Sequence, residues 1–188
     1  MAKIRILILA ITKKIRVLMY KFMSERQYEF IANQPVLIKG KGNFCFSNNI
    51  QFGVESSPFF FSGYGYIESR NANSLIRIGD STFINNNCSI VAEGGSISIG
   101  SNCLIGLNFQ VSNSDFHDIS PSGRLTGGNT KRADVHIEDN VFIGNNVTVL
   151  KGVRIGKNTS IGSGSIVVKS IPSNVVAAGV PATVIRTL

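Results

Sequence analysis

The sequence predicts an all-β fold, a parallel β-helix of hexapeptide repeats with about five coils, preceded by an amphipathic α-helix and broken by one excursion loop. Three observations predict it. Large apolar residues recur every six positions, at Ile38, Phe44 and Ile50; Ile78, Ile84 and Ile90; Ile99, Ile105 and Val111; Ile137, Ile143 and Val149; and Ile155, Ile161 and Val167. Gly follows directly at 79, 100, 106, 144, 156 and 162, and Asn stands three places after the apolar residue at 87, 102, 108, 140, 146 and 158. The pattern then stops at Ser112 and restarts only at Ile137.

The first element is the helix, residues 1–30. Ile4, Ile8, Ile11, Ile15, Leu18 and Phe22 fall at helical spacing among Lys3, Arg5, Lys13, Lys14 and Lys21. This stretch holds seven Lys/Arg against two Glu, so it carries +5 of the chain's net +8. Its longest apolar run, Ile6 to Ile11, is far short of the roughly 20 residues that span a bilayer. No small-residue cleavage site follows it, as a signal peptide would need. Two roles stay open: packing on protein, or peripheral contact with an anionic membrane surface through residues 1–30. No nucleic-acid partner is expected, because basic and aromatic residues do not interleave beyond the helix.

The repeat occupies residues 35–188. At 43% hydrophobic composition, about six of the fifteen repeat positions would be apolar by chance, and all fifteen are. Gly and Asn tolerate left-handed backbone, so each hexad reads as a short strand closed by a tight corner. Four places after the apolar residue a small side chain is frequent, as at Thr82, Cys88, Cys103, Val147, Thr159 and Ser165. Three hexads make a coil, and coils stack about 4.8 Å apart through backbone hydrogen bonds. Residues 51–77 are less regular. Three cysteines in an odd set predict free thiols and a reducing compartment, hence a cytoplasmic protein, with peripheral attachment at the inner membrane face as the alternative.

The segment Ile137 to Arg186, and its ending AAGVPATVIR in particular, resembles the hexapeptide-repeat acyltransferases, in the branch of maltose, galactoside and polysaccharide O-acetyltransferases. The resemblance implies a left-handed β-helix, a homotrimer with active sites between subunits, acetyl-CoA as donor, and no metal. It also gives meaning to the break in the pattern. Residues 112–136 form the excursion loop, and loops on rigid scaffolds concentrate function. Within SDFHDIS, His117 matches the family's catalytic base. A thioester has a good leaving group, so one imidazole suffices to activate an acceptor hydroxyl. A backbone N–H of the next coil would stabilise the oxyanion. Asp115 is a candidate to orient His117, and Asp118 a weaker one. His136 precedes an inward residue and is expected to face outward.

By the same resemblance, FINNNCSIVAE aligns Asn85 and Glu93 with acceptor-binding positions, while Asn86 and Asn87 read as corner residues. CoA contacts carry over to Asn145, Ser163, Val168, Lys169 and Arg186. Two departures stand out: Thr183 replaces a basic residue near the C-terminus, and Phe142 replaces a common Trp. The expected activity is direct acetyl transfer to a carbohydrate hydroxyl, of a bacterial surface polysaccharide or its precursor. The N-terminal extension typical of the small-sugar branch is not expected here. Alternatives are N-acetylation of an amino-sugar nucleotide, or a non-catalytic β-helix scaffold. A β-helical zinc enzyme would need three ligand histidines, and the chain has two.

Overall fold

A computed structural model describes residues 2–126 and 128–188. The helix α1, Ala2–Met23, is shorter than the expected 1–30. It stops where Ser24 turns inward: the Ser24 hydroxyl donates to Tyr20 O and accepts from the Ile38 amide. Residues 25–30 then close the end of the core, where Phe30 stacks on Tyr28 at 4.2 Å and meets Phe52 and Phe46 at 4.6 and 5.2 Å. These rings cover what would otherwise be an open apolar end of the coil stack.

The chain then winds through six coils, one more than the sequence suggested. The first contains β1 (Ile31–Ala32), β2 (Val36–Lys39) and β3 (Asn43–Phe46), and the second β4 (Gln51–Phe52), β5 (Gly65–Ser69) and β6 (Ser74–Ile78). The third contains β7 (Phe83–Ile84), β8 (Ser89–Ala92) and β9 (Gly95–Ile99), and the fourth β10 (Leu104–Ile105), β11 (Gln110–Ser112) and β12 (Val135–Ile137). The fifth contains β13 (Phe142–Ile143), β14 (Thr148–Val149) and β15 (Arg154–Ile155). The sixth holds β16 (Ser160–Ile161), β17 (Ile166–Val167) and a bridge at Ile171. Corresponding strands stack in parallel into three faces, the architecture of a left-handed β-helix. Face one ends in an antiparallel pair, β18 (Val175–Gly179) with β19 (Ala182–Thr187).

Register corrects the first coil. Phe46 and Phe52, not Phe44 and Ile50, align with Ile78 and Ile84. Eight residues rather than six separate Ile38 from Phe46, because Gly40 and Gly42 make a wider corner. The second coil was hidden by residues 53–64, which leave the scaffold between β4 and β5 as an additional excursion and dilute the period. From Ile76 onward the inward row is buried as expected, with Ile143, Val149, Ile155, Ile161 and Val167 all at 0% exposure. Truncating one such Ile to Ala would cost about 2–5 kcal/mol.

Corners divide the labour between Asn and Gly differently from the expectation. All six predicted Asn residues adopt left-handed backbone, with φ of 56–62°. Their side chains also stack, Asn87 on Asn108 on Asn146 and Asn140 on Asn158 on Asn174, through amide hydrogen bonds of 2.8–2.9 Å. The six glycines after the apolar row have no positive φ. They are needed because coils touch there: a Cβ on Gly106 would sit 2.6 Å from the Gly144 carbonyl carbon.

Candidate active site

The loop between β11 and β12 leaves at the second corner, from face two to face three, and is pinned at its base. Ser114 bridges to Arg132 in antiparallel fashion. The Ser114 hydroxyl donates to Glu93 Oε2 at 2.6 Å and accepts from the Phe116 amide. Phe116 itself has φ 59°, a strained value for an aromatic residue, and its ring lies 4.8 Å beneath the Arg70 guanidinium. Arg70 belongs to the second coil and is fixed by a two-point pairing with Glu68, 3.0 Å on each side. That pairing holds the Glu68 carboxyl below its usual range. His117 follows Phe116 directly and is exposed. The consequence is a histidine held outside the scaffold by a rigid base.

The two loop aspartates have distinct tasks. The Asp115 carboxylate accepts from Lys151 Nζ, so the expected orienting partner of His117 is engaged by a lysine of the next coil. Asp118 accepts from the Ser120 and Asn129 amides, which lower its pKa. It closes the loop on itself. His136 lies half-buried on face three, level with Ser98 and Arg154, as the alternation predicted.

The other expected site residues divide between two corners. Asn85, Asn145 and Ser163 come together at the first corner, between faces one and two, beside a groove of about 340 Å³. Phe83, Leu104 and Phe142 supply its apolar wall. Asn145 and Ser163 also brace the coils: the Leu107 amide donates to Asn145 Oδ1, and the Asn145 amide to the Ser163 hydroxyl. Glu93 lies instead at the second corner. Its carboxylate faces Arg70 and Arg132 at 3.7 and 3.6 Å while holding Ser114, so here it anchors the loop. Val168 and Lys169 share that corner and are exposed. Arg186 projects from β19, and among the described residues its side chain bonds only Thr187 O, at 3.3 Å.

Asn86 makes a corner as expected and does more: its buried amide donates to Val54 O, Ser57 O and Pro58 O, pinning residues 53–64. Arg70, Arg132 and Lys151 were missed. A signal for Lys151 existed, since Lys151 and Lys169 each follow an inward Val by two places and so stack on one edge. Cys88 and Cys103 are buried, and burial pushes the Cys88 thiol up to about 12. Neither can act as an accessible nucleophile.

The fold is a β-helix of six-residue repeats whose longest corner loop presents an exposed histidine. The family described as bacterial transferase hexapeptide (six repeats) matches residues 134–169. A galactoside O-acetyltransferase of Lactococcus lactis is 37% identical over 131 residues, 70% of this chain and 58% of that protein. A structure of galactoside acetyltransferase in complex with coenzyme A is 30% identical, with a TM-score of 0.57 over 95% of this chain and 82% of that one. A polysialic acid O-acetyltransferase structure is 27% identical, with a TM-score of 0.64 over 84% and 72% of the two chains. The chain belongs to the hexapeptide-repeat transferase family. It spans about three-fifths of the length of the curated relatives it matches.

Proposed function

We propose that the protein transfers an acetyl group from acetyl-CoA to a carbohydrate hydroxyl, of a surface polysaccharide or its precursor. The observation that carries this reading is the exposed His117 on a braced loop at a β-helix corner, in a chain related to sugar O-acetyltransferases. The imidazole accepts the hydroxyl proton as the oxygen attacks the acetyl carbonyl. The CoA thiolate then leaves and recovers the proton. A backbone N–H of the coil after the loop stabilises the oxyanion. Lys169 and Arg186 are exposed and carry no ion pair among the described residues, which suits them to CoA phosphates. Gly164 leaves open space beside Ser163 for the donor's chain.

The working form is a homotrimer. Face one exposes Phe83, Leu104 and Phe142 in a stacked row, an apolar surface of the kind that a subunit interface covers. The three free cysteines suit a cytoplasmic compartment. The test is release of CoA from acetyl-CoA over a panel of oligosaccharides and nucleotide sugars, with His117→Ala in parallel. The substitution should lower turnover about 10²- to 10⁴-fold. Unchanged turnover on the preferred acceptor would refute the base assignment, and preference for an amino-sugar nitrogen would replace O-transfer with N-transfer.

A further inference from the structure

We propose that the outward face of α1 is a docking surface for an anionic lipid bilayer, on which the helix lies flat. At 100° per residue, Ile4, Leu7, Ile8, Ile11, Ile15, Leu18, Met19 and Phe22 fall within an arc of about 120°. All eight are exposed, Phe22 by 88%. The opposite arc makes the contacts with the protein's own body and is mixed, with half-buried Leu9 and Val17 beside Lys13, Arg16 and Tyr20. Arg16 donates to Phe60 O and Gly63 O at 3.0 and 2.8 Å, Lys13 donates to Asn33 Oδ1, and Tyr20 packs on Tyr64. The helix thus leaves its continuous apolar stripe exposed, whereas a surface helix ordinarily buries such a stripe.

Charge selects the occupant. The helix carries Lys3, Arg5, Lys13, Lys14, Arg16 and Lys21 and no acidic residue. Lys3, Lys14 and Lys21 run along one margin of the apolar arc and Arg5 lies at the other, so cations border it on both sides. Side chains of this length reach from such margins to lipid phosphates while the apolar arc enters the acyl boundary. A second copy of α1 would bring six more cations and no partner for them. Crossing the membrane is not an option, because no helix among the described residues is long and apolar enough. The arc holds no polar side chain, so its burial in lipid strands no hydrogen-bonding group.

The proposal is independent of the acetyl-transfer reading and is tested apart from it. The full-length chain is co-sedimented with vesicles of phosphatidylcholine containing about 30% phosphatidylglycerol and with phosphatidylcholine alone. Wild type should sediment with the anionic vesicles and detach as salt rises. Ile11→Gln/Ile15→Gln and Lys3→Glu/Lys14→Glu should each weaken binding at least about tenfold while leaving the melting temperature unchanged, because these positions face away from the body. Wild type remaining in the supernatant, or either double variant binding as well as wild type, would overturn the proposal. So would a fall in oligomeric mass of the Ile variant by light scattering without vesicle binding by wild type, which would assign the face to a second copy.

Discussion

Cys45, Cys88 and Cys103 differ in environment more than in chemistry. Cys88 and Cys103 fill the small inward position next to a corner, where loss of water disfavours the thiolate, while Cys45 points outward on face three. With the Cys88 thiol up at about 12, virtually none of it is ionised at pH 8, and the core screens what remains. A disulfide reagent should therefore titrate one thiol per native chain and three after denaturation. Rapid reaction of two or three thiols in the native protein would show that the core opens far more readily than its packing implies. These inward positions were readable from spacing, since only a small residue fits beside a corner. The role of the glycines was not: a positive φ and a close coil-to-coil contact both favour Gly, and sequence alone does not separate them.

Among the elements, the excursion loop depends on residues far from it in sequence. Its base is joined to Glu93 of the third coil, Lys151 of the fifth and Arg70 of the second. Arg70→Ala removes the guanidinium from the Phe116 ring and loosens Glu93, yet touches no residue expected to hold CoA. A base displaced by about an ångström costs on the order of 10²-fold in rate. Arg70→Ala should therefore lower kcat by about 10- to 100-fold and leave the KM for acetyl-CoA within experimental error. Unaltered kcat would mean that the loop's remaining anchors suffice. Arg70→Lys should not rescue it, because an ammonium cannot reproduce the two-point pairing with Glu68 or the stacking on Phe116. The loop's place and its histidine were legible as a gap in a six-residue period. Its anchors were not, because residues 51–77 obscured the coil that carries Arg70, and Asp115 gives no sign in sequence that its partner is Lys151 rather than His117.

The whole molecule explains why the expected site residues do not converge within one chain. His117, Val168 and Lys169 occupy the second corner, whereas Asn85, Asn145 and Ser163 occupy the first. All of face two lies between them, and six residues at about 3.3 Å each make it roughly 15–20 Å wide. Neither corner can reach the other around a rigid prism, so under the proposed function, with its homotrimer, a complete site would join the second corner of one protomer to the first corner of its neighbour. Two impaired variants should then repair each other. In a trimer assembled at random from equal amounts of His117→Ala and Asn85→Ala chains, an intact interface needs His117 from an Asn85→Ala chain and Asn85 from a His117→Ala chain. That arrangement arises at about one interface in four, so co-expressed variants should recover about a quarter of wild-type activity. Activity no higher than the mean of the two separate variants would place both residues' functions within a single chain, and the division of the site between corners would then lack catalytic meaning.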